Sequence, residues 1–171
     1  MITSPLGIHD IAVIDVTPWK TVVGQNYMCN INLTVTNEGN FAETFNLTLY
    51  ADTTVIYTYT NITLPSGNST TITFTWDITG CSKGNYTIWA YAWPILGETY
   101  TADNTFTDGW IIISLVGDIN ADGIVDIEDI YAIALGFEET PNRPRWDPNL
   151  DINHDEIIDI EDMYLAALNY G

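Results

Sequence analysis

The 171-residue chain reads as an all-β sandwich followed by a small all-α domain. Three observations point there. Residues 9–114 alternate apolar and polar side chains and are rich in Thr, Val, Ile, Tyr and Trp, the pattern of half-buried strands. Turn residues interrupt that alternation about every ten residues, as short sandwich strands require. Beyond residue 116 the alternation stops, and a 19-residue segment occurs twice, 33 residues apart.

The first strand is expected over 9–16, with Thr17-Pro18 ending it because proline donates no ladder hydrogen bond. Over 27–36, Cys29, Ile31, Leu33 and Val35 share one face and Asn30, Asn32 and Thr34 the other; Asn37-Glu38-Gly39-Asn40 then turns the chain. A third strand at 45–52 buries Phe45, Leu47, Leu49 and Ala51. A fourth at 55–64 ends at the turn Pro65-Ser66-Gly67-Asn68, and a fifth at 70–77 buries Ile72, Phe74 and Trp76. Strands at 85–93 and 104–114 complete the set.

The segment D-I-A-V-I-D-V-T-P in the first strand, N-I-N-L-T-V-T-N-E-G-N in the second and T-A-D-N-T-F before the last carry a family likeness. On them, residues 9–114 resemble the CARDB family, immunoglobulin-like sandwiches of prokaryotic surface proteins. The resemblance implies adhesion, spacing or presentation, without catalysis. In an immunoglobulin-like order, Cys29 and Cys81 lie at the same end of the sandwich, so a Cys29–Cys81 disulfide is expected in an exported protein. The alternative is two unrelated small core residues.

Trp89, Tyr91 and Trp93 alternate with Ile88, Ala90 and Ala92 along the sixth strand. If the aliphatic set faces the core, an aromatic stripe faces outward, and Tyr50, Tyr57 and Tyr59 could join it as a docking surface or sugar platform. If the faces are reversed, the tryptophans are core.

Charge narrows the class of partner. The net charge is −19, with 9 acids and 2 bases in residues 1–115 and 14 acids and 2 bases in residues 116–171. Four Lys plus Arg make nucleic acid and anionic membrane poor partners. No apolar run approaches the roughly 18 residues of a membrane span. Five N-x-S/T acceptors, at Asn32, Asn46, Asn61, Asn68 and Asn85, favour an exported protein, and glycosylation is expected at some of them. The start M-I-T-S-P-L lacks the basic region and apolar core of a signal peptide, so a processed or excised piece is expected. His9 and His154 are the two histidines, and no Ser-His-Asp set, phosphate loop or zinc cluster emerges. Paired carboxylates are abundant but concentrate in the repeats, so no enzyme is expected.

The repeats read D-I-N-A-D-G-I-V-D-I-E-D from Asp118 and D-I-N-H-D-E-I-I-D-I-E-D from Asp151, with 12 of 19 aligned positions identical. Oxygen-bearing side chains at positions 1, 3, 5, 9 and 12 suit a short loop wrapped around Ca²⁺. In the first copy Asp118, Asn120, Asp122, the Ile124 carbonyl, Asp126 through a water, and Asp129 would ligate. In the second, Asp151, Asn153, Asp155, the Ile157 carbonyl, Asp159 and Asp162 would do so. Two ions are expected, bringing the −12 segment to −8. Position 6 needs a left-handed backbone, free for Gly123 and forced for Glu156 at about 1 kcal/mol. The second site is therefore expected to be the weaker. The competing reading is an acidic turn before a helix N-terminus.

Helices are expected over 129–137 and 162–170, with apolar stripes at Ile130, Ala134, Leu135 and at Met163, Ala167, Leu168. Neither loop has a clear entering helix, and the Pro-rich connector 138–150 joins repeats 118–137 and 151–170. This loop–helix duplication closely resembles a type I dockerin, with the domain boundary placed at 116/117. The resemblance implies a calcium-folded module that plugs into a cohesin-like partner, with recognition positions at Ile127-Glu128 and Ile160-Glu161. Many dockerins carry a hydroxyl pair there, so an unusual cohesin or a different receptor surface is implied. The chain is thus expected to be a non-catalytic, extracellular, archaeal surface module. The rival expectations are a subunit that packs on neighbouring copies of itself in a filament or surface layer, and a carbohydrate-binding appendage of a larger enzyme.

Overall fold

The computed structural model describes residues 7–171, so the expectation about the leader falls outside the described residues. The strands are β1 (Ile11–Pro18), β2 (Val22–Gly24), β3 (Met28–Asn37), β4 (Glu43–Ala51), β5 (Thr54–Leu64), β6 (Ser69–Asp77), β7 (Gly84–Ala92) and β8 (Thr105–Ser114). The seven expected strands are present to within two residues. The eighth, β2, is too short for alternation to reveal, and it exists because it pairs in parallel with β8, Val22 opposite Ile112. One sheet has the order β1-β3-β6 and the other β2-β8-β7-β4-β5.

The chain divides into two compact units, which do not part at residue 117. Among the described residues, one comprises 7–17, Asn30–Trp76 and Thr87–Gly109. Its core is the apolar face that alternation predicts, with Ile31, Leu33, Leu47, Leu49, Ile88 and Ala90 all fully buried. At about 1.5–3 kcal/mol per large aliphatic side chain, such burial is the main term favouring the fold.

The other unit comprises Pro18–Cys29, Asp77–Tyr86 and Trp110–Gly171, so the β1–β2 corner belongs with the repeats. Its core is Val125, Ile133, Leu150, Ile152, Ile158 and Ala166, flanked by Tyr27, Trp146 and Met163. Helices α1 (Ile127–Leu135) and α2 (Ile160–Ala167) start two residues earlier than expected, because Asp126 and Asp159 are their N-caps. The apolar stripes are also re-phased. Ile133 and Ala166 are buried, whereas Ala134, Leu135, Ala167 and Leu168 are exposed.

Gly117, at φ 94°, lets the chain pass under α2. A Cβ there would lie 2.4 Å from Ala166 Cα. No helix among the described residues is long and apolar enough to cross a membrane.

Candidate metal centre

Each repeat folds its loop around its own acidic side chains. Asp118 Oδ1 accepts from Asp122 N at 3.1 Å, and Oδ2 accepts from Gly123 N at 2.9 Å and from the Ser114 hydroxyl. Asn120 Oδ1 accepts from Asp122 N and Asp122 Oδ1 from Ile124 N. Asp129 Oδ1 takes Ile119 N at 2.8 Å and Asn120 N at 3.3 Å, and its Oδ2 takes Asp126 N at 2.9 Å.

The second loop is wired the same way. Asp151 accepts from His154 N, Asp155 N and Glu156 N, Asn153 Oδ1 from Asp155 N, and Asp155 Oδ1 from Ile157 N. Asp162 accepts from Ile152 N, Asn153 N and Asp159 N. Asp126 and Asp159 use Oδ1 to cap their helices, accepting from Glu128 N and Glu161 N.

Backbone strain separates the loops. Position 6 is left-handed in both, with Gly123 at φ 95° and Glu156 at 68°, as the repeat pattern predicts. Position 4 is left-handed too, at Ala121 (59°) and His154 (66°), which the pattern does not reveal. The second loop thus holds two strained residues and the first only one.

The first and last carboxylates of each loop are buried, at 1% exposure for Asp118 and Asp129 and 0% for Asp151 and Asp162. Backbone N–H groups offset part of the cost of burying these charges, but several kcal/mol per ion remains at stake. Burial pushes the Asp151 carboxyl above the usual carboxylate range, with Lys20 and backbone N–H groups opposing. Burial pushes Asp162 up as well, and the Asp151 charge adds to it. In each of these four carboxylates one oxygen accepts two hydrogen bonds and the other accepts one, so one oxygen of each keeps a lone pair for a cation. An all-oxygen donor set of this kind suits a hard cation.

The surroundings of the second loop are not legible in the repeats. Lys20 is 3% exposed, and its Nζ donates to the Asp151 carbonyl. Burial lowers its pKa to about 8, while Asp151, Asp162 and Asp147 oppose the shift. Asn149 Oδ1 accepts from Thr21 N and Val22 N, and its Nδ2 donates to Thr21 Oγ1. Trp19 and Tyr27 flank His154, each with ring centroids at 5.9 Å. Burial and Lys20 bring the His154 imidazole down to about 4. The one hint in the sequence is a lone lysine, Lys20, between Trp19 and an apolar strand.

Both helices turn a matching ridge outward. Ile127, Tyr131 and Leu135 are 64%, 63% and 53% exposed, and Ile160, Tyr164 and Leu168 are 64%, 63% and 62% exposed. Glu128 and Glu161 are exposed beside them.

The expected disulfide is not made. Cys29 and Cys81 are both thiols: Cys29 is buried with Sγ toward the Lys20 carbonyl at 3.9 Å, while Cys81 sits half-buried in a turn. Burial pushes the Cys29 thiol up.

The aromatic stripe faces outward, because Ile88, Ala90 and Ala92 are buried. Tyr50 stacks on Trp89 at 4.0 Å, and Tyr91 meets Trp93. Tyr57 and Tyr59 do not join them. They pair with Leu49 and Leu47 on the opposite face and pack edge-on against Phe74.

Of the sequons, Asn32, Asn61, Asn68 and Asn85 are exposed. Asn46 is half-buried, its Oδ1 accepts from Asn61 N, and its partner Thr48 is 1% exposed.

A second acidic group lies in the other unit. Asp10, Glu38 and Asp103 bring their ligand atoms within 4.8 Å of one another, a set that could hold a metal ion. Asp10 Oδ1 and Asp103 Oδ1 are buried without a hydrogen-bond partner. Burial raises the Asp10 pKa, and Asp103, Glu38 and Glu98 add to the shift.

No curated protein matches the chain. Its fold is similar to that of a CARDB domain from Pyrococcus furiosus crystallised in complex with di-metal ions. The identity is 22% and the TM-score 0.56, over 66% of this chain and 99% of that one. The solution structure of that domain gives 22% and 0.53, over 63% and 97%. A domain of a candidate cell-surface protein from Methanosarcina acetivorans is 28% identical with a TM-score of 0.48, over 62% and 92%. The CARDB family model matches residues 8–94, just over half of the sequence, and the chain belongs to the CARDB family.

Proposed function

We propose that the C-terminal repeats form a calcium-folded docking module of the dockerin type, carried on a non-catalytic CARDB sandwich at the outer surface of the cell. One observation carries the reading: Asp118, Asp129, Asp151 and Asp162 are buried at the two ends of loops whose other expected donors are all oxygens. In the first loop Asp118, Asn120, Asp122, the Ile124 carbonyl, Asp126 and Asp129 would hold one Ca²⁺. Asp151, Asn153, Asp155, the Ile157 carbonyl, Asp159 and Asp162 would hold the second. The ion supplies positive charge where carboxylates repel. The residues themselves set the loop wiring and cap the helices.

The matching ridges of exposed Ile, Tyr and Leu support a docking role, since soluble surfaces rarely keep such apolar rows without a partner. A cohesin-like domain is the partner we favour. A second copy is a poorer occupant, because two chains of charge −19 with four Lys plus Arg each repel one another. Exposed sequon asparagines and the CARDB membership support the placement outside the cell.

Calcium calorimetry is expected to show two bound ions, and chelation to remove helical circular dichroism. Absence of binding at millimolar calcium sinks the reading. Cohesin domains should bind the full chain in calcium, and the double variant Ile127→Asp, Ile160→Asp should lose that binding while keeping its calcium. Binding that survives both substitutions removes the ridges from the docking role.

A further inference from the structure

The two repeats share their sequence pattern and wiring but not their counter-charge. In the second, the Lys20 ammonium reaches in from the β1–β2 corner to the carbonyl of Asp151, the first loop residue. It is 3% exposed, and the acids whose charge acts on it are Asp151, Asp162 and Asp147. Asp151 and Asp162 are the two buried ends of that loop. Asn149, two residues before Asp151, is held by Thr21 and Val22, the two residues that follow Lys20, so the backbone beside Lys20 is fixed to the loop's entry.

In the first loop the Asp118 carboxylate accepts from the neutral hydroxyl of Ser114, whereas in the second the Lys20 ammonium donates to the backbone carbonyl of Asp151. Among the described residues the ion pairs found, His9–Glu43 and Arg145–Glu139, involve neither loop, so what sets the second loop apart is the Lys20 ammonium at its backbone carbonyl.

We propose that Lys20 is a built-in counter-ion of the second loop, holding that loop together without calcium and weakening its hold on the ion. The inference rests on the reading of the repeats as calcium loops. Its physical basis is that one fixed positive charge both neutralises buried carboxylates and repels a divalent ion placed among them. The consequence is an unequal pair: the first loop depends on calcium for its shape, and the second responds to calcium over a higher concentration range. The strained Glu156 and His154 act in the same direction.

The test uses the full chain carrying Asp122→Ala, which removes a first-loop ligand so that the remaining site titrates alone. On that background Lys20→Met removes both charge and donor, and Lys20→Gln removes the charge while keeping an amide donor. Two readouts are taken: calcium affinity by calorimetry and the melting temperature in EGTA. Both lysine variants are expected to bind calcium about tenfold more tightly and to melt lower in EGTA. That opposition is the signature, since a lysine acting only as a strut would lower affinity and melting temperature together. Affinity unchanged or reduced in both variants overturns the proposal. Failure of both to fold in saturating calcium overturns it too, because calcium should replace the ammonium. If the Asp122→Ala parent takes up no calcium, and the unsubstituted chain takes up none either, the calcium reading itself falls.

Discussion

At the scale of single residues, backbone conformation at loop position 6 gives a pair of predictions of opposite sign. Glu156 sits at φ 68°, where an L side chain costs roughly 1–2 kcal/mol, whereas Gly123 at 95° adopts its conformation freely. Glu156→Gly removes the strain but loosens the unfolded chain, which takes back about 0.4–1 kcal/mol. The net gain is therefore about 0.5 kcal/mol, a rise of roughly 1–2 °C in melting temperature. Gly123→Ala should lose about 1 kcal/mol. Thermal melts in saturating calcium check both, and a drop for Glu156→Gly would show the strain to be absent. Position 6 was legible because a loop turning sharply needs glycine there and one copy lacks it. Position 4 was not, since Ala121 and His154 give no compositional hint of a left-handed backbone. The thiols make the same point: shared position at one end of a sandwich does not aim Cys29 at Cys81 when Cys29 turns toward the Lys20 carbonyl.

At the scale of elements, strands were easier to place than helix faces. Alternation over nine or ten residues fixes both a strand and its buried side, and Leu47, Leu49, Ile88 and Ala90 lie where it puts them. A helix of eight or nine residues offers barely two turns, and nearly every position in α1 is apolar or acidic, so the periodic signal alone cannot choose the phase. What chooses it is the N-cap: Asp126 and Asp159 start the helices two residues early and turn Ile133 and Ala166 inward. The inward phase depends on Gly117, because α2 passes directly over it. A Cβ at 117 would meet Ala166 Cα and would also have to occupy φ 94°. Overpacking and the left-handed conformation together should cost Gly117→Ala about 3 kcal/mol. Urea denaturation measures that loss, and a variant within 0.5 kcal/mol of the parent, about the size of an ordinary surface change, would show that α2 moves aside.

At the scale of the molecule, the division into compact units decides what calcium removal should loosen. A boundary at 116/117, natural from the sequence, would confine the effect of chelation to the repeats. The β1–β2 corner and residues 77–86 instead belong to the same unit as α1 and α2: Lys20, Asn149, Trp19 and Tyr27 join the corner to the second repeat, and Ile78 N donates to the Tyr27 carbonyl. Taking calcium away exposes the buried carboxylates to one another, and electrostatic repulsion must be relieved by opening whatever is least well compensated. Lys20 donates to the backbone of the second loop, so the first loop should open first. Hydrogen exchange after EGTA treatment is therefore expected to show protection falling most in 118–137, less in 151–170 where Lys20 remains, and measurably in 18–29, which shares their core through Tyr27. Leu33, Leu47, Leu49 and Ile88 pack in the other unit, so the amides of 31–35, 45–51 and 88–92 should keep their protection. Equal loss in both repeats would argue against Lys20 as a counter-charge, and loss extending evenly through 31–76 and 87–92 would mean that the two units unfold as one.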